Sequence, residues 1–526
     1  MRKYPIGLQS FKEIVTGGYV YVDKTAFIHQ LVSAGKYYFL SRPRRFGKSL
    51  LVSTLQALYE GKKELFAGLF IADKWDWSQT NPVIVVYFNS FTLRGNDLDA
   101  VLQNAMREQA KAQNIALTTQ FEGGNFKAGF LFQELIQKLH AKTGRKVVVL
   151  IDEYDKPIVD YLEEINIAEA NRNTLKSFYG ILKPADEHLE LVLLTGVSKF
   201  AKVSVFSDLN NLRDISLDED YSNIVGFTQL ELEANFESEV KDFAQQKNIT
   251  KDDFLLEIKR WYNGYSWGGE STVYNPFSLL NFFSNKGTFR NFWFSTGTPT
   301  WLVKQLYNKR LFEFENVEAT DFSLNSFDLQ NLQPITLLFQ TGYLTIKSYN
   351  SEDMAYVLDY PNQEVRFSLQ QHLLSTYRQK EGEEVVPYIL RFRNALREND
   401  LPAAIQTINV VFSTIPYDLW QRENEHFYHA LIHLTFTLLG VYVQSEVHTS
   451  RGRCDAVVQT DKYIYAFEFK LSDGRTDKTA QEAKDQIFAK GYLTPYAQNG
   501  KQRFAVGVNF STQLKAVESW LAVEVL

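Results

Sequence analysis

Three groups of residues in this chain have the types and spacing to handle phosphate and a divalent cation. The first is Gly47-Lys48-Ser49, which closes a basic turn, Arg42-Pro43-Arg44-Arg45-Phe46, and is followed by Leu50, Leu51, Leu55 and Leu58 at helical spacing. At a helix start the backbone N–H groups point at an anion, a lysine reaches the outer phosphates and a serine hydroxyl holds Mg²⁺. On this reading Arg44, Arg45, Phe46, Gly47, Lys48, Ser49 and Leu50 contact a nucleotide. The match is incomplete, because the first glycine of the usual G-x-x-x-x-G-K-[ST] pattern falls at Arg42. The competing reading is a chance Gly-Lys-Ser at a helix start. The second group is Asp152-Glu153, at the end of the apolar run Val147–Ile151. A carboxylate there holds Mg²⁺ directly or through water, and Glu153 is placed to orient or deprotonate an attacking water. Thr195 or Ser198, after the run Leu191–Leu194, could sense the outermost phosphate, and Arg213 is a further basic candidate.

The third group lies near the C-terminal end. Gly452–Gln459 and Tyr463–Lys470 read as two strands joined at Thr460-Asp461-Lys462. If Asp461 and Lys462 form a two-residue loop, Thr460 pairs with Tyr463, and counting outward sets Asp455 opposite Glu468. Alternation puts Glu468 and Lys470 on one face and Phe467 and Phe469 on the other, with Cys454 turned to the core. Two opposed carboxylates repel, and a divalent cation between them resolves the repulsion. Oxygen ligands from Asp455 and Glu468 suit Mg²⁺, and Lys470 would position the nucleophile or stabilise charge on phosphorus, which is the chemistry of phosphodiester hydrolysis. The bland alternative is a salt-bridged, solvated hairpin. Gln486 and Tyr492, on and just after a helix expected over 479–490, could reach the same pocket.

These side chains need elements to carry them. Tyr37–Leu40, Val83–Phe88, Val147–Ile151 and Leu191–Leu194 read as parallel strands covered on both faces, separated by helix-length segments, as in an open α/β sheet. Tyr19–Thr25 and a helix over 26–34 precede the basic turn, a place suited to a nucleotide-base pocket or a lid. Between about 226 and 400 the signals are aromatic, among them Trp261-Tyr262-Asn263-Gly264-Tyr265 and Val273-Tyr274-Asn275-Pro276, and show no catalytic constellation. Lys380–Glu384 is a polar break. His426, His429 and His433 lie on an expected helix and read as packing or surface residues, since no zinc pattern accompanies them. Phe504–Phe510 is expected to be the last strand.

At 526 residues with 45% hydrophobic and 22% charged, the chain has the composition of a globular protein of several domains. Sequence signals divide it at 1–225, 226–404 and 405–526. No apolar run approaches the ~18 residues of a membrane span, and the first residues lack the apolar stretch of a secretion signal. One cysteine excludes an internal disulfide framework and fits a reducing, cytoplasmic setting. A net charge of −6 means that any nucleic-acid contact uses a local patch. The 14% aromatic content points to large aromatic cores rather than base-stacking platforms.

Taken in order, Pro5-Ile6-Gly7, Tyr21–Thr25, Arg42–Leu50, Leu150–Asp155, Leu194–Ser198, Trp261–Tyr265, Gly452-Arg453-Cys454-Asp455 and Phe467–Lys470 resemble the bacterial AAA-ATPase-like family whose members carry a C-terminal domain of the PD-(D/E)xK nuclease superfamily. The resemblance spans nearly the whole chain, and Arg42 in the loop is that family's own form. It implies an α/β P-loop domain, a mixed, mainly helical middle and a C-terminal α/β nuclease-like domain. It also implies ATP and Mg²⁺ as cofactors, Lys48, Ser49, Asp152 and Glu153 as nucleotide-site positions, and Asp455, Glu468 and Lys470 as a nuclease triad. Glu425 or Glu446, with Glu446 preferred, is the further acidic residue that the resemblance implies as a metal ligand. The superfamily's usual proline before the aspartate is Cys454. The expectation is an ATP-hydrolysing protein whose nuclease domain acts on nucleic acid, DNA first, with ATP as gate, with self-association left open. The alternative is a nucleotide-dependent switch or scaffold whose nuclease-like domain binds without cutting.

Overall fold

The computed structural model describes residues 2–118, 127–199, 206, 209–268, 271–293, 302, 305–306, 311, 314–320, 323–324, 333–377, 386–413, 444–445, 448–449, 452–472, 479–497 and 500–525. Strands β1 (Tyr37–Ser41), β2 (Val83–Tyr87), β3 (Val147–Asp152), β4 (Leu189–Gly196) and β5 (Arg213–Asp214) form one sheet in the order β2-β3-β4-β1-β5, and every neighbouring pair is parallel. β1 and β3 are buried along their whole length, as continuous Val/Leu/Ile/Tyr runs demand when helices cover both faces. The helices Leu98–Ala112, Lys127–Thr143 and Ile165–Gly180 supply Leu102, Met106, Leu131, Leu135, Leu175 and Phe178 to the core around Phe39, Val149 and Leu194. Because β4 lies between β1 and β3, the loops that follow these three strands open side by side at one sheet edge.

Beyond the sheet, the helices Gln229–Gln246, Lys251–Tyr262 and Pro276–Ser284 bury an aromatic core in which Phe236 and Phe283 stack with ring centres 4.4 Å apart. The aromatic surplus at these positions builds core. Strands β6 (Val317–Thr320), β7 (Thr345–Asn350) and β8 (Ala355–Asp359) form an antiparallel sheet in the order β6-β8-β7.

In the C-terminal region β9 (Gln444–Ser445), β10 (His448–Thr449), β11 (Gly452–Arg453), β12 (Ala456–Gln459), β13 (Tyr463–Ser472), β14 (Gln502–Ser511) and β15 (Ala516–Val525) follow one another. The main sheet runs β15-β14-β13-β12-β9. Only β13 and β14 are parallel in it, and the helix Ala480–Lys490 connects them. Phe504–Phe510 is therefore not the last strand. β15 adds an antiparallel edge whose half-exposed, Glu-interrupted pattern is weaker than a buried run. The short strand β9 is all that is described of 441–447. Glu446, Glu425, the three histidines and the 380–384 break lie outside the described residues.

The chain divides into two compact units, Met1–Thr296 with Phe314–Val365, and Gly297–Glu313 with Arg366–Leu526. The sequence boundaries near 225 and 404 fall inside these units.

Candidate functional site

The first site forms where β1 ends. Arg45 (φ 69°) and Gly47 (φ 99°) take left-handed conformations, which fold the turn back before the helix Lys48–Tyr59 begins. A glycine does this freely, whereas Arg45 is held there by its surroundings. Its guanidinium lies 4.6 Å from the Phe277 ring centre. The Lys48 ammonium reaches back over the loop and donates to the carbonyl oxygens of Arg42 (2.8 Å) and Pro43 (3.0 Å). Burial pulls its pKa below the ordinary lysine value, and Glu153 and Asp152 oppose that shift.

Asp152 joins the loop to the sheet. Its Oδ2 accepts from the Ser49 hydroxyl (2.5 Å) and its Oδ1 from the Thr195 hydroxyl (2.6 Å). The helix that follows β1, strand β3 and strand β4 thus each deliver one member of a Ser–Asp–Thr clasp. Thr195 is fully buried and turned to Asp152. The Ser198 hydroxyl donates to Asp155 at 2.5 Å, and Asp155 also accepts the Ser198 amide (2.8 Å), so Ser198 serves to fix the turn after β4. Arg213 pairs with Asp218 at 2.7 Å and does not line the cavity beside Lys48.

Glu153 adopts φ 55°, an uncommon conformation for this residue type and one that clusters at functional positions. Burial raises its pKa, Lys48 lowers it, Asp152 raises it, and a hydrogen bond with Asn89 lowers it. Asn89 lies just beyond β2. Sequence reasoning missed it, although its place after a buried strand at the same sheet edge was a usable signal.

Lys48, Ser49 and Glu153 open into a cavity of about 350 Å³. One wall is Arg44–Leu51, and the other is built from Pro5–Gln9, Val20–Val22 and Ile224–Phe227. Lys24, Arg44, Arg45, Lys48 and Lys156 line the cavity together with Glu153, the Lys24 ammonium being paired with Glu231 at 2.7 Å and that of Lys156 with Asp160. The wall from the N-terminal residues is apolar, with Ile6, Tyr21 and Val22.

The second site is the β12–β13 hairpin. Ala456 pairs with Phe467 and Gln459 with Ile464, and the Thr460 amide donates to the Tyr463 carbonyl at 2.8 Å. The same register extended by one pair sets Asp455 opposite Glu468. Asp455 Oδ2 accepts the Phe469 amide at 2.8 Å, which pins it to β13. Glu468 is 3% exposed. Its Oε1 accepts from Gln486 Nε2, while its Oε2 is buried with no hydrogen-bond partner. Burial first, then Asp455, push the Glu468 carboxyl up to about 7, against the pull of Lys470. The Lys470 ammonium lies 3.9 Å from Glu468 Oε1 and donates to Gln486 Oε1 at 2.6 Å. Gln486 therefore bridges the acid and the lysine, and it also hydrogen-bonds with Tyr492. Cys454 is buried, its thiol facing the carbonyls of Ala456 and Phe467. Two hard carboxylates, one with a buried oxygen lacking a donor, fit a divalent cation. Among the described residues no cluster of three or more His, Cys, Asp or Glu stands ready to hold a metal.

A phosphate loop clasped to a strand-end aspartate, and a separate sheet bearing an Asp/Glu/Lys face, define a nucleotide-site domain joined to a nuclease-like domain. Residues 5–206 match the family model described as predicted AAA-ATPase, and residues 423–520 that of the PD-(D/E)XK nuclease superfamily. An uncharacterized protein encoded in the vnfD 5′ region of Azotobacter chroococcum mcd 1 is 40% identical over 527 residues, covering 98% of both chains. The chain belongs to this family of predicted AAA-ATPases with a C-terminal PD-(D/E)XK domain. No solved structure matches it. Among the described residues no helix is long and apolar enough to cross a membrane.

Proposed function

We propose that the protein binds and hydrolyses ATP with Mg²⁺ and cuts nucleic acid, DNA in the first place, with a second Mg²⁺-dependent site. The observation that carries the first half is the Asp152 clasp. Ser49 and Thr195 aim both oxygens of one buried carboxylate beside Lys48, where a phosphate-bound cation would sit. Ser49 and Asp152 would hold that ion, which supplies charge neutralisation when bound. Arg44, Arg45, Phe46, Gly47, Lys48 and Leu50 would receive the phosphates, and Glu153 would take the proton of the attacking water. Thr195 acts by orienting Asp152.

For the second site the support is the orphaned Glu468 oxygen opposite Asp455, with Lys470 alongside. Asp455 and Glu468 would hold the cation, Glu446 is the further ligand proposed, and Lys470 would orient the nucleophile. ATP is proposed to gate cutting. The single cysteine supports placing this activity in a reducing, cytoplasmic compartment, and self-association is left as a proposal for sizing experiments.

The test is paired. ATP hydrolysis with Mg²⁺ should disappear in Lys48→Ala, and nicking of plasmid DNA should disappear in Lys470→Ala. Absence of nucleotide hydrolysis by the unaltered protein would overturn the first half. Absence of cutting under every nucleotide condition would overturn the second and leave the reading of a switch that binds without cutting.

A further inference from the structure

The residue where a phosphate loop normally has its first glycine is here a fully buried cation, and a sequence motif with no place so far lies directly against it. Arg42 is 0% exposed. Its Nη1 donates to the carbonyl oxygens of Ser41 (2.9 Å) and Ser216 (2.7 Å), and its Nη2 to that of Tyr221 (3.3 Å). The Trp267 ring lies 4.2 Å from its Cζ. Trp267 ends the aromatic run that begins at Trp261. The rings of Tyr265 and Trp267 lie nearly parallel, and the Phe46 ring meets both edge-on, at 4.8 and 5.1 Å. The Phe46 carbonyl accepts the Gly226 amide at 3.2 Å. At the other end of the loop, a Cβ on Gly342 would come within 2.8 Å of Pro43. Loop residues 42, 43 and 46 thus rest on one surface, while Arg44, Gly47 and Lys48, with Phe46 itself, line the cavity.

We propose that Arg42 and Trp267 are positioning residues, and that the Tyr265–Trp267 aromatic platform holds the loop in its phosphate-receiving shape. A guanidinium with its planar fork can tie three carbonyls that no glycine could. An aromatic face over it stabilises the buried charge where water is excluded. The functional part rests on reading the Lys48 cavity as a nucleotide site. The structural part, the shape of the loop, does not.

If the platform sets the fraction of molecules whose loop is ready for phosphate, weakening it raises the apparent ATP dissociation constant in inverse proportion to that fraction and leaves the step after binding alone. Trp267→Leu should therefore raise KM for ATP at least about tenfold with kcat within about twofold. Trp267→Phe, which keeps a ring over Arg42, should recover most of the affinity. Trp293→Leu is the control, since Trp293 is buried in the same unit against Tyr343 and should lose stability with KM unchanged. In the nucleotide-free protein, amide hydrogen exchange of 42–50 should speed up in Trp267→Leu and not in Trp293→Leu. Should Trp267→Leu fail to fold, Arg42→Lys, which keeps the charge and loses the fork, is expected to show the same exchange and KM changes. An unchanged KM, a fall in kcat alone, unchanged loop exchange, or equal effects from the control would each overturn the proposal. If the unaltered protein binds no nucleotide, the ATPase reading falls, and loop exchange alone decides the platform.

Discussion

Glu153 and Gln486 show what single side chains do in the two sites. Glu153 is next to the clasp aspartate, close enough to Lys48 for each to shift the other, and constrained to a left-handed backbone. Glu153→Gln keeps shape and hydrogen bonding and removes the base. Hydrolysis should fall about a hundredfold or more while ATP binding stays within about threefold, read by steady-state turnover and by equilibrium titration. In the C-terminal site Gln486 bridges Glu468 and Lys470. Gln486→Leu leaves those two groups without their shared partner and should slow plasmid nicking about tenfold. ATP hydrolysis by the same variant should be unaltered. Both variants keep side-chain volume, so a loss of folding, visible by circular dichroism, would argue against local roles.

Elements carry these groups by register and close packing. β13 and β14 pair in parallel, with Glu468 beside Gly507 and Lys470 beside Asn509. The helix Ala480–Lys490, which brings Gln486, crosses directly over Gly507. A Cβ there would collide with the Ala480 carbonyl and come within 2.5 Å of the Lys484 amide. Backbone cannot yield as a flexible side chain can. Gly507→Ala should therefore cost about 1–3 kcal/mol or more and lift the helix off the acid–lysine face. Nicking should be lost while nucleotide binding by the other unit is kept, measured by chemical denaturation alongside the two assays. The hairpin itself was legible from Thr460-Asp461-Lys462 and the alternation of 463–470, because a short turn dictates which residues oppose. β15 was not legible, since an edge strand that shows one face to water needs no continuous apolar run. Glu446 falls outside the described residues, so its proposed role rests on family resemblance.

At the scale of the molecule, two compact units carry the two sites, and the helix Gln363–Tyr377 begins with residues of the first. Glu364, near its start, is fully buried, and its carboxylate accepts the amides of Phe292 (2.7 Å) and Trp293 (2.9 Å). Burial pushes this carboxyl up to about 7 against an ordinary value of 4.5, with those amides and Ser278 opposing the shift. Between these values the folded chain holds the proton that the unfolded chain has released, so stability falls as pH rises. Unfolding of the first unit should ease by about 3 kcal/mol from pH 5 to 8, and Glu364→Gln should flatten that slope, followed by urea denaturation across pH. The gating proposal also belongs to this scale. If ATP controls cutting, Lys48→Ala should change nicking in the presence of ATP, whereas equal nicking with and without a working Lys48 would show two independent activities.

The amino-acid sequence alone determined the strand–turn–helix around Gly47-Lys48-Ser49, the carboxylates at the end of β3 and the opposition of Asp455 and Glu468. Each follows from chemistry within a few residues: an apolar run, a turn, an alternation. Only the tertiary structure decided that the Thr195 hydroxyl donates to Asp152, that Asn89 reaches Glu153, and that Arg42 is gripped by Ser216, Tyr221 and Trp267. Those contacts join residues far apart in the chain, brought together by burial of the core, and no local pattern encodes which distant partner a buried polar group will find.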